Sequence, residues 1–425
     1  MNILIIGSGG REHAIALKLF EENKYIKLFI SPGNGGTHSI GKNIELDLNN
    51  VSDIIDFCTC ENIELVIIGP EQPLVDGLAN DLRKAGIDVF GPNKNAARIE
   101  GDKSFAKDLM QKYQVPTAKF KSFFKSDYIK AIEYLQRSDF PIVLKASGLA
   151  AGKGVIIANT FNEAQTALNE MMKESKFGSA GDYVVIEEFL EGPELSVFVV
   201  TDGNDYVILP PAQDHKRIGE GDTGKNTGGM GAFSPVPFVN KILIEEIEQN
   251  VILPILRGLR EKDSNFNGCL YCGLIKTADG IKVIEFNCRF GDPEIQAVLQ
   301  LVEGDFLELL NSTAKGKVNL NSVKYNGGSA VCVVAASGGY PDSYEKGKEI
   351  LGLDSEFNDN VKIIHAGTKK ENDKIFTSGG RVLNIVSYSS KNDIKYCITK
   401  AYTTLAHITY EDIYFRKDIG EKALM

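Results

Sequence analysis

Glu285, Asn287 and Arg289 are the three side chains of this sequence whose types and spacing point most directly to chemistry. They lie in Ile284–Glu294, which is typical of the end of a β-strand followed by a turn into a helix. Because side chains alternate across a strand, the three are expected on one face. A carboxylate and an amide oxygen suit a hard cation such as Mg²⁺, and a guanidinium can bind phosphate or carboxylate. Taken alone, the segment is equally compatible with an ordinary solvated strand face.

A loop of small residues in the middle of the chain is the second candidate site. A predicted strand at 140–145 ends in Lys145, ASGLAAGKGV occupies 146–155, and a second strand follows. A Walker A loop opens a helix, whereas this loop joins two strands. Its backbone amides can close over phosphates, with Lys145 and Lys153 supplying charge. A flexible hairpin tip with two solvated lysines is the alternative.

Two later segments carry weaker signals. A strand predicted at 183–187 leads into Glu188–Glu194, where backbone groups can read adenine and Glu194 can accept hydrogen bonds from ribose; exposed acidic loops are commoner than ribose sites. The stretch QDHKR at 213–217 and the glycine-rich run to Gly231 carry both signs of charge. Long stretches without secondary structure inside compact domains are usually functional or disordered, and the apolar flanks favour an active-site loop.

The N-terminal third must position any ligand at the ends of its strands. Strands alternate with helices there, which predicts a parallel, doubly wound sheet that binds ligands at the carboxyl ends of its strands. The predicted strands are 2–6, 25–30, 64–68 and 87–90, and the predicted helices are 11–22 and 73–85.

The first turn of this region resembles half of a dinucleotide-binding fingerprint. Gly7 and Gly9 fit GxGxxG, but Glu12 stands at the third glycine and the second strand ends in Ser31-Pro32-Gly33 without the acidic ribose anchor. These departures argue against NAD. The turn can still present backbone N–H groups to one phosphate at a helix N-terminus.

Composition limits the classes of function. The 425 residues predict several domains, and the net charge of −10 argues against nucleic acid or an anionic membrane as partner. No apolar run reaches the roughly 18 residues of a membrane span. Seven scattered cysteines are typical of a reduced cytoplasmic protein. Cys269 and Cys272 have no second pair at zinc spacing and are interpreted as small buried strand residues.

Together these segments resemble the phosphoribosylamine–glycine ligase family of the ATP-grasp superfamily, nearly from end to end. The motifs that carry the resemblance are GSGGREHA at 7–14, PGNGGT at 32–37, GPEQPLVDG at 69–77, KASGLAAGKGV at 145–155, QDHKR at 213–217, NTGGMGAFSP at 226–235, EFNCRFGDPE at 285–294, HAGT at 365–368 and FRKDIG at 415–420.

The resemblance implies a multidomain protein of α/β and α+β class. Its parts would be an N-terminal doubly wound parallel-sheet domain at 1–100, an ATP-grasp domain at 101–325 and a mixed α/β C-terminal domain at 326–425. A small lid subdomain would occupy about 120–190.

The resemblance also implies the reaction. Glycine would be joined to 5-phosphoribosylamine with ATP and Mg²⁺ or Mn²⁺, giving glycinamide ribonucleotide, ADP and phosphate through a glycyl phosphate, in de novo purine biosynthesis. The only partners expected are these small molecules, and the chain would be a cytoplasmic monomer or weak homodimer. Another ATP-grasp ligase or carboxylase is the alternative, but it should lack PGNGGT and GPEQPLVDG.

Site roles follow from the resemblance residue by residue. The expected ATP contacts are Lys103, Lys145, Gly152, Lys153, Gly154, Glu187, Glu188, Phe189, Leu190 and Glu194. The expected substrate contacts are Gly9, Gly10, Arg11, Asn34, Glu71, Asp214, His215 and Arg289. Catalysis is assigned to Arg289, Asp214 and Lys216, and metal binding to Glu285 and Asn287.

Two further expectations concern the surroundings of this site. Many ATP-grasp enzymes carry another metal carboxylate on the strand before Glu-x-Asn, but residues 269–277 contain no acid, which leaves the number of metal ions open. Asp292 is expected to cap a helix that begins at Pro293.

Overall fold

The computed structural model describes residues 1–149, 154–174, 176–262, 264, 266–355, 357 and 359–424. Its N-terminal part contains β1 (Asn2–Gly7), α1 (Gly10–Glu22), β2 (Lys27–Pro32), β3 (Lys42–Asn43), α2 (Val51–Cys60), β4 (Leu65–Ile68), α3 (Glu71–Asp76), α4 (Leu78–Lys84), β5 (Asp88–Phe90) and α5 (Lys94–Gly101).

The N-terminal sheet is parallel, in the order β3-β2-β1-β4-β5, which confirms the doubly wound prediction. Its central strand β1 is apolar and fully buried from Ile3 to Ile6, as expected for a strand covered on both faces. The helix predicted at 73–85 is instead two helices, α3 and α4. Gly77, with φ of +104°, separates them because its left-handed backbone ends a helix.

The next helix, α6 (Lys103–Lys112), packs into the core shared with the N-terminal part. A small unit follows, which we call the lid, with β6 (Phe120–Phe124), α7 (Tyr128–Leu135), β7 (Ile142–Ala146), β8 (Val155–Ala158), α8 (Phe161–Met172) and β9 (Tyr183–Glu188). The antiparallel lid sheet has the order β6-β9-β7-β8. It shares a separate hydrophobic core with α7 and α8, built from residues such as Leu144, Leu168 and Ile186.

The central body follows the lid. Its elements are β10 (Glu194–Thr201), β11 (Tyr206–Ile208), β12 (Gln213–Asp214), β13 (Arg217–Gly219), β14 (Thr223–Asn226), β15 (Gly231–Ser234), α9 (Lys241–Ile247), α10 (Leu253–Arg260), β16 (Gly268–Thr277), β17 (Gly280–Asn287), α11 (Glu294–Val298), β18 (Val302–Gly304), α12 (Phe306–Ala314) and β19 (Val323–Tyr325). The body sheet runs antiparallel in the order β11-β10-β16-β17.

The C-terminal part contains β20 (Ser329–Ser337), β21 (Val361–His365), β22 (Thr368–Glu371), β23 (Lys374–Thr377), β24 (Arg381–Ser389), α13 (Ile394–Leu405) and β25 (Ile413–Tyr414). Its sheet has the order β12-β15-β20-β24-β21, with β25 also paired to β20. The sheet therefore includes two strands from the body.

This pairing corrects the expectation that 213–231 is one loop without secondary structure. β12 pairs with β15, β15 pairs with β20, and β13 and β14 form a separate hairpin. β15 is buried along its whole length, with Phe233 fully buried. The apolar residues that flank the glycines thus fold into the sheet core and leave the polar residues at its edge.

The domains share a core. Ile5 of β1, Phe198 of β10, Phe306 of α12 and Val386 of β24 belong to one buried cluster. Phe290, just after β17, stacks on Phe90 of β5 with ring centroids 5.6 Å apart. This packing fixes the turn after β17 against the ends of the N-terminal strands. Within the described ranges, no helix has the length and apolar character required to cross a membrane.

Candidate active site

β17 presents Glu285 and Asn287 to a cleft and Phe286 between them to the core, as the alternation predicts; a register shift at Ile284 places Val283 in the core as well. Val283 and Phe286 are buried, whereas Glu285 and Asn287 line a cleft of about 680 Å³, the first cleft. On the neighbouring strand Gly273 lies opposite Glu285, and a Cβ atom at position 273 would lie 3.3 Å from Glu285 Cγ. Glycine thus leaves room for this carboxylate.

Arg289 lies between two carboxylates from distant parts of the chain. Its Nη2 is 3.0 Å from Glu100 Oε1, and its Nε is 3.3 Å from Glu71 Oε2. Burial lowers the pKa of Arg289, but Glu100 and Glu71 outweigh that effect and raise it. Burial raises the pKa of Glu100 despite the guanidinium. The cation is therefore held in one orientation at the cleft wall.

Glu285 and Asn287 offer the donor atoms that a hard cation needs. When its amide is oriented so that Nδ2 donates to Glu100 Oε1 (3.3 Å) and to Phe286 O (3.0 Å), Asn287 keeps Oδ1 for coordination. One carboxylate and one amide oxygen fit a Mg²⁺-type ion that takes its remaining ligands from phosphate and water. Among the described residues, no group of three or more His, Cys, Asp or Glu side chains is arranged to hold a metal.

Glu12 explains why the turn after β1 departs from a dinucleotide fingerprint. Its buried carboxylate accepts from Gly9 N (2.7 Å) and from Arg11 Nε (2.6 Å). A Cβ atom at Gly7 would lie 2.5 Å from Glu12 Cγ, and one at Gly69 would lie 2.0 Å from Glu12 Oε1. The carboxylate thus fills the space below the turns that follow β1 and β4.

Asn34 binds the N-terminal and C-terminal domains together. Its Nδ2 donates to Ser8 O (2.9 Å) and to His365 O (3.0 Å), and its Oδ1 accepts from Gly36 N (2.9 Å). Beside it, His13 Nδ1 accepts from His365 N at 2.8 Å. Asn34 also lines the outer cleft, a space of about 550 Å³ bounded by the turns after β1 and β2 and by the loops around β22 and before β24.

A second cleft of about 910 Å³ lies between the lid sheet and the body sheet. Its lining is largely apolar and comes from two facing sheets, a shape that suits a flat aromatic base. The apolar lining residues are Val143, Val155, Ile157, Phe189, Leu190, Pro193, Pro237, Phe238, Ile275 and Ile284.

A buried chain of charges joins the second cleft to the first. Lys145 Nζ is 3.0 Å from Glu187 Oε2 and also donates to Ile284 O (3.0 Å), so this lid residue reaches across to β17. Lys107 Nζ is 3.2 Å from Glu187 Oε1 and donates to Thr117 Oγ1 (2.7 Å). Burial lowers the pKa of Lys107 to about 8 even though Glu187 opposes the change.

The start of α6 contacts the first residues of the small-residue loop. Lys103 Nζ donates to Gly148 O (3.2 Å), and Ser104 N donates to Ser147 Oγ (3.1 Å). Lys103 and Gly154 both line the first cleft. Gly152 and Lys153 lie outside the described residues.

Asp214, Lys216 and Glu194 form a charged cluster where the two clefts meet. Lys216 Nζ contacts Glu194 and is 3.3 Å from Asp214 Oδ1. Burial raises the pKa of Asp214 to about 7, with Lys216 opposing and Glu294 adding to the rise. Burial lowers the pKa of Lys216, but the two carboxylates outweigh the effect of burial and raise this pKa well above its ordinary value. The lysine is therefore a fixed cation beside a carboxyl group that titrates near neutrality.

Models of the phosphoribosylglycinamide synthetase N domain, ATP-grasp (A) domain and C domain match residues 1–100, 101–295 and 330–422. The chain is 46% identical to the phosphoribosylamine–glycine ligase of Fusobacterium nucleatum, over 99% of this chain and 98% of that protein. The chain belongs to the phosphoribosylglycinamide synthetase family. It is therefore a ligase of purine biosynthesis, and the ATP-grasp fold predicted for its centre is confirmed.

Two further comparisons agree with the family. The chain superposes on the crystal structure of phosphoribosylamine–glycine ligase from Thermotoga maritima with a TM-score of 0.85 and 33% identity, covering 98% of this chain and 100% of that one. It is also 46% identical to a bifunctional purine biosynthetic protein of Pichia angusta, over 100% of this chain and 54% of the relative. The chain thus spans about half of that relative.

Two residues expected to contact substrate in this synthetase fold are not in the cleft walls as described. His215 is fully buried against Phe233, behind Asp214 and Lys216, since it points to the opposite face of the chain. Gly10 is buried in the first turn of α1, where a Cβ atom would lie 2.4 Å from Asn384 Nδ2. Both serve packing in this structure. Gly9, Arg11 and Glu71 do line the first cleft.

Asp292 corrects the capping expectation. The helix begins at Glu294 with Pro293 as its cap residue, and Asp292 accepts instead from Arg11 N (3.3 Å) and Gln296 Nε2 (2.8 Å). Its carboxylate is also 3.3 Å from Arg381 Nη1. Burial raises the pKa of Asp292, but Arg381 and Arg11 outweigh it and lower it.

Several polar residues at the synthetase clefts are not among the site residues predicted from the sequence. They are Glu12, Glu100, Lys107, Ser196, Tyr271, Glu294 and Arg381. Glu100 and Lys107 lie on helices whose other residues pack normally, and Ser196 and Tyr271 lie on buried strands. One usable signal is a charged residue at a buried position of an amphipathic helix, which describes both Glu100 and Lys107.

Proposed function

We propose that the chain ligates glycine to 5-phosphoribosylamine with ATP, and that the meeting of the two clefts at Lys145, Lys216 and Glu285 is where phosphoryl transfer occurs. The observation that carries the proposal is this junction. An apolar cleft suited to a base opens at one end onto two lysines and two metal-type oxygen ligands. Phosphoryl transfer asks a protein mainly for such positioning and charge neutralisation.

The base of ATP would lie in the second cleft. Val143 and Ile157 of the lid would cover one face, and Ile275 and Ile284 of the body the other. The backbone of Glu188–Leu190 would meet its edge. Lys145 and Lys103 would then hold phosphates at the junction, together with the loop that contains Gly154. Glu194 would accept hydrogen bonds from ribose.

Glu285 and Asn287 would hold the divalent cation. Families with the ATP-grasp fold use ATP with a divalent metal ion. When bound, the ion neutralises phosphate charge. The two oxygen donors suit Mg²⁺ and Mn²⁺ alike, so we propose either.

Glycine would lie beside Arg289. This guanidinium can pair with the glycine carboxylate and later with the acyl phosphate. Asp214 and the polar cluster around it (Glu294 Oε1 accepts from Ser196 Oγ at 3.2 Å) would face the glycine ammonium. Lys216 would balance charge during transfer.

5-Phosphoribosylamine would enter from the N-terminal side. The turns at Gly9, Arg11 and Glu71 would face its ribose, and Asn34 would hold them in place. Its phosphate would occupy the outer cleft, where Lys369, Lys370 and Arg381 provide positive charge.

The chemistry then needs no covalent enzyme intermediate. A glycine carboxylate oxygen attacks the γ-phosphorus, the bond to the β-phosphate oxygen breaks, and ADP leaves. The amine of 5-phosphoribosylamine attacks the acyl carbon, the C–O bond breaks, and phosphate leaves as the amine loses a proton. Activation is required because a free carboxylate has no leaving group.

The test is ADP release by purified protein with ATP and Mg²⁺. 5-Phosphoribosylamine is made in situ from ribose 5-phosphate and ammonia, with glycine present or omitted. We expect ADP only when both substrates are present, with glycinamide ribonucleotide as product. Tight nucleotide binding without turnover would instead indicate another acid or amine substrate, and absence of nucleotide binding would contradict the proposal. We also propose a cytoplasmic location and a monomer or weak homodimer.

A further inference from the structure

The C-terminal motif FRKDIG at 415–420 has no part in the reaction described above, yet it contains a fully buried arginine. Arg416 Nε and Nη2 donate to the two carboxylate oxygens of Asp418 at 2.8 and 2.6 Å. Its Nη1 donates to Asp222 Oδ1 at 2.9 Å and to Arg217 O at 3.0 Å. A buried guanidinium group that donates several hydrogen bonds at once holds its acceptors in a fixed arrangement.

Two acceptors of Arg416, Arg217 O and Asp222 Oδ1, lie on the β13–β14 hairpin, far away in sequence. Neighbours of Arg416 bind the same hairpin: Tyr414 OH donates to Ile218 O (2.7 Å), and Gly221 N donates to Asp418 Oδ2 (2.9 Å). Lys422 Nζ contacts the second oxygen of Asp222. We call residues 414–422 the C-terminal strap.

The hairpin and the strap together form part of the second cleft. Arg217, Asp222 and Asn226 of the hairpin line it, and so does Lys422 of the strap. Asp222 joins the two cations, since one oxygen accepts from Arg416 and the other contacts Lys422. The strap therefore positions the β13–β14 hairpin, which lines the second cleft, and orients the Lys422 ammonium group there.

We propose that the C-terminal strap forms part of the wall of the nucleotide site and contributes to nucleotide binding. Arg416 is a positioning residue, and Lys422 is a cation that faces the nucleotide. This inference rests on the proposed function for the identity of the nucleotide. Arg416 acts through Asp222 and the hairpin backbone rather than by touching the ligand. The contacts of the strap lie on the second cleft, so its effect is specific to one substrate.

Three variants test the strap by steady-state kinetics with each substrate varied in turn. Lys422→Met removes the cation at a half-exposed position, Tyr414→Phe removes one hydrogen bond, and Arg416→Lys keeps the charge but loses the fork. We expect KM for ATP to rise about fivefold in Lys422→Met and about tenfold in Arg416→Lys. KM for glycine and 5-phosphoribosylamine should change less than about twofold.

Lys417→Ala is the matched control, because Lys417 belongs to the same motif and its side chain is exposed. It should match the wild type. Hydrogen exchange supplies a second readout: amides of 217–226 should exchange faster in Arg416→Lys and Tyr414→Phe, while those of β17 keep wild-type rates.

Unchanged KM for ATP in both Lys422→Met and Tyr414→Phe would overturn the proposal. So would an equal loss of kcat with no difference among the three KM values, which is the result expected of general destabilisation. Should the wild type fail to make product, the proposed function fails by itself. Calorimetric titration of the same variants with ADP would still test the strap, since weakened ADP binding is expected.

Discussion

The first and second clefts are built in opposite ways. In the first, charged groups pair with one another: Arg289 with Glu71 and Glu100, and Glu12 with the turn at Gly9. In the second, apolar side chains of two separate sheets face each other across about 910 Å³. The lid sheet has its own hydrophobic core.

The first cleft needs order before the ligand arrives, whereas the second needs less. Charges buried beside reacting groups are useful only when they are already oriented. In the first cleft, ion pairs and the close packing of Glu12 against the glycine residues of the neighbouring turns provide this orientation. An apolar cleft between two sheets needs no such prior orientation of charges. Lys145 is the residue that ties the two arrangements together, because it extends from β7 to Ile284 O on β17.

The largest effect is expected where the clefts meet. Glu285→Ala should lower turnover about a thousandfold, because a charge-neutralising ligand of the transition state is lost. Since Glu285 lies at the cleft surface, the unfolding temperature should stay within a few degrees of wild type. ADP release and differential scanning calorimetry measure both. Wild-type turnover in Glu285→Ala would exclude this strand as the metal site.

Lys107→Met breaks the chain of charges that joins the two clefts. It leaves Glu187 with one buried partner instead of two, so we expect a loss of about 3 kcal/mol in unfolding free energy and weaker ATP binding. Urea unfolding and calorimetric titration with ADP measure the two effects. The matched control is Lys112→Met on the exposed side of the same helix. An equal change in affinity for 5-phosphoribosylamine would show that the clefts are not separable.

Gly69→Ala is expected to disturb the first cleft and to leave the second unchanged. A Cβ atom 2.0 Å from Glu12 Oε1 must displace that carboxylate, which should cost about 2 kcal/mol of stability and raise KM for 5-phosphoribosylamine. ATP affinity should be retained. The double variant Gly69→Ala/Glu12→Ala removes the clash and should recover part of the stability. If it recovers none, the cause lies elsewhere in the turn.

A further effect concerns the dependence of stability on pH. Because burial raises the pKa of Asp214 from 3.8 to about 7, the folded state binds a proton that the unfolded state releases. The stability from this group is present below about pH 4 and is lost as pH rises to about 7. Asp214→Asn should remove that decline, as seen in the difference between urea unfolding curves of the two proteins from pH 4 to 8. Parallel pH profiles would contradict the assignment.

The sequence predicted the elements better than the contacts between them. Alternation along β17 placed Glu285 and Asn287 correctly, because a strand's period of two is a local property. The partners of Arg289 come from positions 71 and 100, and only the tertiary fold brings them together. For the same reason Asp292, predicted to cap a helix, binds Arg11 and Arg381 instead.

The strands in segment 213–231 could not be predicted from the local sequence. β12 has two residues and β15 has four, which is too short for periodicity to be visible. Their strand character depends on β20, about a hundred residues later in the chain. Glycine-rich sequence therefore reads as a loop until its pairing partner is known.

The shared sheet also limits how the protein can be divided. β15 pairs with β20 through Gly231–Ser234, so a fragment ending at residue 325 would expose the backbone N–H and C=O groups of an apolar edge. Edges of this kind pair with other chains and favour aggregation. Although residues 326–425 resemble an appended domain in sequence, their first strand shields this edge from unwanted association.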